Sequence, residues 1–172
     1  MTNSTIETRN LDRYGNAALP WSKARDLLAT ESAAKDVPFF LNTVRPDGRP
    51  HSVGIGAIWF EDTLFFVSGL DTRKSRNLAE NPACTIAVRL TGMDLVLEGD
   101  AHLVGDESTL DRVAARYRES GWPAQREGAA FTAPFMAPSG GAGPWYVYRI
   151  TLRSAHSVAT VEPAGATRWT FA

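Results

Sequence analysis

The feature that most constrains this chain is a run of short apolar segments joined by tight turns. Val37-Pro-Phe-Phe-Leu-Asn-Thr-Val44, His51 to Phe60 and Thr63-Leu-Phe-Phe-Val-Ser68 follow one another, with Arg45-Pro-Asp-Gly48 and Glu61-Asp62 as turns. In the first turn proline presets φ and glycine takes a positive φ. Connections this short join antiparallel hairpins, because a parallel crossover needs a dozen or more residues. Pro38 is expected to place the start of the first segment on a sheet edge. In the second, Val53, Ile55, Ala57 and Trp59 alternate with Ser52, Gly54, Gly56 and Ile58. Two glycines on one strand face mark either the close approach of a ligand or backbone, or a bulge or tight barrel corner.

Later segments continue the pattern. Cys84 to Leu90 leads through Thr91-Gly-Met-Asp94 into a long strand, Leu95 to Val104. There Leu95, Leu97, Gly99, Ala101 and Leu103 are expected on one face, opposite Val96, Glu98, Asp100, His102 and Val104. Trp145 to Arg153, Ala155 to Val161 and Thr167 to Phe171 read as three further strands. Helices interrupt the run in three places. One starts at Pro20, presents Trp21, Ala24, Leu27 and Leu28, and ends near Ser32. A second begins at Asp71 or Thr72 and closes at Asn81-Pro82. The third is capped by Asp106, repeats Leu110, Val113, Ala114 and Tyr117 at helical spacing, and stops at Gly121. Residues 1–19 are polar and aperiodic and read as an arm that is disordered or lies on a partner, leaving 20–172 as a single domain. Trp122 to Gly143 reads as a long loop whose Trp122, Phe131, Phe135 and Met136 argue against plain disorder. Six to eight antiparallel strands, three helices and no βαβ alternation give a mainly β chain, a closed or partly closed barrel with helices at its ends.

Composition removes several functional classes. At 172 residues the chain fits one domain, and a net charge of −1 gives no general pull toward nucleic acid or membrane. Cys84 is the only cysteine, so no disulfide forms within the chain and a reducing compartment, the cytoplasm, is expected. The first residues carry Glu7, Arg9, Asp12 and Arg13 with no apolar run, so neither a signal peptide nor a membrane span is expected there. His51, His102 and His156 lack metal-ligand spacing. Glu98, Asp100 and His102 share a strand face, which reads as a solvated sheet face before it reads as a metal site. Cys84 reads as a core residue. There is no nucleophile elbow, Walker motif or dinucleotide fingerprint. Catalysis by this chain therefore needs a cofactor to carry the chemistry.

Ser68-Gly-Leu-Asp-Thr-Arg-Lys-Ser-Arg-Asn-Leu78 is where such a cofactor would be held. A helix start offers free N–H groups and partial positive charge. Arg73, Lys74 and Arg76 are unfavourable there unless an anion is bound. Lysine is scarce, at Lys23, Lys35 and Lys74, which makes Lys74 stand out. The alternative is a solvated basic turn.

From about residue 20 to the end, the order of elements resembles the pyridoxamine 5′-phosphate oxidase-like split-barrel family. The matching stretches are Pro46-Asp-Gly-Arg-Pro-His51, Val53-Gly-Ile-Gly-Ala-Ile-Trp59 and, most specifically, Thr72-Arg-Lys-Ser-Arg-Asn-Leu78 followed by Asn81-Pro82. Glu98-Gly-Asp-Ala101 and Ala166-Thr-Arg-Trp-Thr-Phe171 are similar to one branch of it. The resemblance implies an antiparallel, Greek-key split β-barrel of the FMN-binding type, homodimeric, with cofactor sites at the subunit interface. It implies FMN or the deazaflavin F-420, with the phosphate at Ser68, Thr72, Arg73 and Lys74, the turn fixed by Asn77, and the ring along Val53, Gly54, Ile55, Gly56 and Ala57. Two departures argue against vitamin B6 oxidation. His51-Ser-Val-Gly-Ile-Gly56 lacks the arginine of the true oxidase, and Thr167-Arg-Trp-Thr-Phe171 lacks its Arg-x-His pattern. The missing cation favours F-420 over FMN. An F-420-dependent reductase, an FMN-dependent oxidase or reductase, and a non-catalytic flavin or haem carrier are the readings in play. No catalytic side chain is assigned; solvent or Tyr146 would serve as acid.

Overall fold

The computed structural model describes residues 5–34, 36–138 and 140–172. The first four residues of the expected arm, Lys35, and Ser139 of the long loop lie outside the described residues. The elements run β1 (Ile6–Asn10), α1 (Trp21–Glu31), β2 (Phe39–Val44), β3 (Pro50–Ile55), β4 (Ala57–Phe60), β5 (Thr63–Ser68), α2 (Arg73–Glu80), β6 (Ala83–Leu90), β7 (Met93–Leu103), α3 (Glu107–Glu119), β8 (Gln125–Glu127), β9 (Ala130–Thr132), β10 (Trp145–Ala159) and β11 (Ala166–Phe171).

Every strand pairing is antiparallel. The main path is β1-β11-β10-β7-β6-β2-β3, and β5 with β4 hangs on the first half of β10. The turns behave as their residues dictate. Gly48 takes φ +81° and its N–H reaches Arg45 O at 2.8 Å. Glu61 and Asp62 both have positive φ, the conformation that matches hairpin twist in a two-residue loop.

Several expectations are corrected. His51 to Phe60 is two strands: the chain breaks at Gly56, so β3 pairs with β2 while β4 pairs with β5. The chain thus bridges the two parts of the sheet there, but among the described residues no ladder closes the barrel, which stays open along its hydrogen-bonded path. The two segments after Trp145 are one strand, β10, whose register shifts between Leu152 and Ser154. That bulge resets the alternation and reads as a strand end in sequence. Pro38 lies outside β2, which is an interior strand between β3 and β6. Within the polar arm, β1 pairs with β11 although all its residues are exposed, so backbone bonding rather than burial makes it. The long loop contains the β8–β9 hairpin. Alternation in β7 holds through Ala101, but Leu103 is 51% exposed and Val104 is buried, because the strand ends there. Among the described residues, eleven strands therefore replace the expected six to eight.

The barrel core joins Phe39, Leu41, Phe66, Ile86, Leu95, Leu97 and Trp169. Trp169 also donates Nε1–H to Leu19 O at 3.1 Å, fixing the segment that leads into α1. Cys84 belongs to this core, and burial pushes its thiol up to about 12. A second cluster packs α3, through Leu110, Val113 and Tyr117, on Ile58, Phe65, Phe131 and Val147. No helix of the described residues is long and apolar enough to cross a membrane.

Candidate functional site

β5 ends at Ser68, held in register with Tyr146 of β10. The chain turns at Gly69, with Thr72 N–H donating to Gly69 O at 3.2 Å, and α2 begins. Thr72, not Asp71, is the cap: its Oγ1 accepts from Ser75 N at 3.4 Å. The hydroxyls of Ser68, Thr72 and Ser75 touch one another, with Ser68 Oγ 2.9 Å from both Thr72 Oγ1 and Ser75 Oγ. Asn77 is buried and donates Nδ2–H to Thr43 Oγ1 at 2.9 Å, so it ties α2 to β2 rather than to the turn. This leaves the N–H groups of Arg73 and Lys74 as the helix's first donors, without a backbone acceptor among the described residues.

The side chains there carry unopposed charge. Neither Arg73, Lys74 nor Arg76 makes an ion pair among the described residues. Lys74 is half-buried, and that burial lowers its pKa. Burial, and then the positive charges of Arg45, Arg73 and Lys74, hold the His51 imidazole below its usual value. His51 Nδ1 and Arg45 Nε are buried without a hydrogen-bond partner. Arg45 was not singled out by the sequence; it sits on the β2–β3 turn and reaches the same neighbourhood as the α2 cations through the fold. Like charges held together in this way are costly unless an anion joins them.

Beside this helix start opens a cleft of about 800 Å³. The β3–β4 break forms one wall, with Gly54, Ile55, Gly56 and Ala57. Ser68, Gly69 and Lys74 lie at another side, and Tyr117, Trp122, Phe135 and Trp145 contribute aromatic surface. A Cβ built on Gly54 or Gly56 meets nothing within 4 Å, so both glycines present bare backbone to open space. The cleft therefore joins exposed backbone, an anion-attracting helix start and an apolar, aromatic region.

Of the residues expected to hold a cofactor, Gly54, Ile55, Gly56, Ala57, Ser68 and Lys74 line this one cleft. Val53 faces the barrel core, Arg73 is exposed at the helix start, and Thr72 and Asn77 act on the protein's own structure. Tyr146 does not line the cleft. Tyr117 does, although its spacing marks it only as part of a helix's apolar face. Glu98 and Asp100 are engaged across the sheet: Glu98 accepts from Ser154 Oγ and lies 3.5 Å from Arg168, and Asp100 pairs with Arg153.

Known proteins bear on this arrangement. No curated protein matches the chain. Among solved structures, a conserved hypothetical protein from Mycobacterium tuberculosis aligns with a TM-score of 0.61 at 17% identity, covering 85% of this chain and 88% of that one. A pyridoxamine 5′-phosphate oxidase-related, FMN-binding protein from Nostoc punctiforme aligns at 0.56 and 20% identity, over 86% and 88% of the two chains. An F420 reductase aligns at 0.50 and 21% identity, over 76% and 94%. At these identities the likeness is one of fold. The sequence itself matches the pyridoxamine 5′-phosphate oxidase family over residues 23–138, a span that holds β2 through β9 with both cation-bearing turns. On that match, over more than half its length, the chain belongs to the pyridoxamine 5′-phosphate oxidase-like family.

Proposed function

We propose that this protein is an oxidoreductase that binds a flavin-type cofactor, the deazaflavin F-420 by preference, and passes hydride between it and a small molecule. One observation carries the reading: Lys74, a half-buried cation without an ion pair among the described residues, lines the same cleft as the bare backbone of Gly54 and Gly56. The cofactor's requirements fit these residues. Its phosphate would meet Lys74, Arg73 and the first N–H groups of α2, and its ring would lie along the backbone from Val53 to Ala57, across the β3–β4 break. When bound, the cofactor supplies the hydride chemistry. The chain supplies orientation and exclusion of water, which is the larger part of what a protein adds to such a reaction.

FMN is the second reading, and Arg45 is the specific observation behind it. β3 itself carries no arginine, which favours F-420, but Arg45 brings a cation from the β2–β3 turn to His51, the histidine that Lys74 also faces. We also propose a homodimer in the cytoplasm. Phe40 is 47% exposed on the outer face of β2, beside Gly54 and Ala87 in register, a flat apolar strip that a second copy would cover. Light scattering is expected to report two copies; a monomer at micromolar concentration contradicts the shared site.

The test of the cofactor reading is a visible spectrum of protein purified from a host that makes FMN and haem but no deazaflavin, followed by titration with F-420. Trp122 and Trp145 line the cleft, so binding is expected to quench tryptophan fluorescence. Colourless protein that is quenched by F-420 supports the first reading. A flavin spectrum supports FMN, a Soret band points to a haem carrier, and no response to any of them overturns the proposal.

A further inference from the structure

The first strand of the chain is paired along one edge only. β1 ends the sheet path, bonded to β11, and its other edge carries no strand among the described residues. All of its side chains are exposed, so its order rests on backbone bonding. The register decides which backbone groups remain free. Ile6 faces Phe171 and Asn10 faces Thr167. In the same register Leu11 N–H donates to Ala166 O at 2.8 Å, and Ala172 N–H to Thr5 O at 3.3 Å. Antiparallel strands exchange bonds at every second residue. The groups of Thr5, Glu7, Arg9 and Leu11 therefore point to β11, and those of Ile6, Thr8 and Asn10 point to the open edge. Such a row of N–H and C=O groups is a template for another strand.

The charges on β1 are unmatched within the chain. Neither Glu7 nor Arg9 makes an ion pair among the described residues. They lie two apart and so share one face. On that face Arg9 stands opposite Arg168 of β11, a like charge that is itself 3.5 Å from Glu98. Pairing β1 with a second β1 changes this. A two-fold axis at Glu7 sets two glutamates opposite each other, and one at Arg9 sets two arginines opposite, both unfavourable. An axis at Ile6 or Asn10 overlaps only part of the strand. An axis at Thr8 overlaps the whole of it. The open groups of Ile6, Thr8 and Asn10 then meet those of Asn10, Thr8 and Ile6 in the second copy. Glu7 falls opposite Arg9 twice, at the non-hydrogen-bonded positions where side chains come closest. β3, at the other end of the path, offers no such match: it has no acidic or basic partner for Glu7 and Arg9 beyond His51, and Pro50 lacks an N–H.

We infer that β1 is a docking edge for a second copy of this chain, the two β1 strands running antiparallel about a two-fold axis at Thr8 with Glu7 against Arg9 on both sides. The contact is isologous, one surface serving both copies. No residue of β1 or β11 lines the cleft, so this edge is separate from the proposed cofactor site.

Sedimentation equilibrium of the full chain, from low micromolar to near-millimolar concentration, tests this. Copy number is expected to rise with concentration. Thr8→Pro removes an N–H that the β1–β11 ladder does not use, and is expected to abolish the rise. Glu7→Arg opposes like charges on both sides and is expected to weaken the association about tenfold. Glu7→Arg combined with Arg9→Glu exchanges the charges and is expected to restore it. The species present at low concentration, which reports the β2 face, stays the same in every variant. A wild-type copy number that does not change with concentration overturns the inference. So does a rise that survives Thr8→Pro, or a charge exchange that fails to restore what Glu7→Arg loses.

Discussion

Two charged regions of this molecule are built on opposite principles. On the outer face of β7, β10 and β11, Glu98 faces Ser154, Arg168 and His156, and Asp100 faces Arg153. Each carboxylate is met across the sheet by a donor or cation. Around the start of α2, Arg73 and Lys74 pair with no carboxylate among the described residues, and with Arg45 they act on a histidine whose pKa they help to lower. The first region is complete without a ligand. The second, on the reading proposed above, would be completed by an anion. Charge in itself therefore does not single out the proposed site; charge without a counterpart among the described residues does.

Substitutions in the two regions should separate stability from binding. The largest effect is expected at Gly99, which sits between Glu98 and Asp100 on β7, in the first region. A Cβ there would run into the backbone carbonyl of Thr151 on β10, and backbone cannot move aside as a side chain can. Gly99→Ala should lower unfolding free energy by about 3 kcal/mol in urea titration, the upper end of overpacking costs. Cofactor affinity of the molecules that remain folded is expected to be unchanged. Lys74→Ala should do the reverse. A charge-assisted bond contributes about 1.5–3 kcal/mol, so cofactor affinity should fall about ten- to a hundredfold. Its thermal midpoint should hold or rise, because a half-buried cation without an ion pair is lost.

Smaller effects sharpen the contrast. Gly54→Ala adds a Cβ into open space, so stability should hold or gain about 0.5 kcal/mol through the unfolded chain. Cofactor affinity should still fall several-fold, because the methyl occupies the space proposed for the ring. Arg168→Ala should cost under about 1 kcal/mol, as exposed ion pairs do, with cofactor binding untouched. The smallest signal is the pH response of His51. Its folded pKa is lowered from 6.5, so the unfolded chain binds the proton more readily. Stability should therefore rise with pH through the window below 6.5 and fall as the solution is acidified. His51→Asn should flatten that part of the thermal-midpoint profile.

How much of this was legible in the sequence follows from the range of the interactions involved. The turns at Gly48 and Glu61-Asp62, the caps Thr72 and Asp106 and the stop at Gly121 were readable, because each is decided within a few residues. The cations and glycines of the site were readable because they are out of place in their own elements: cations at a helix start, glycines in a strand. The break at Gly56 was half-read as a possible corner; which partner each half takes depends on β2 and β5. β1 had no apolar signature to find, and the bulge in β10 looked like a gap. Arg45 and Tyr117 were missed for the same reason. Nothing local distinguishes a turn arginine or an amphipathic tyrosine, and only packing places one beside His51 and the other in a cleft.

The central claim is that the unpaired cations at the start of α2 are there for the phosphate of a flavin-type cofactor. It is tested most directly by titrating wild type and Lys74→Ala with FMN and riboflavin, and with F-420 and its phosphate-free headgroup. The expected result is that for the cofactor that binds, the phosphorylated form binds at least about tenfold tighter to wild type, and that Lys74→Ala removes most of that difference. Equal affinity of the phosphorylated and phosphate-free forms for the wild type would contradict it.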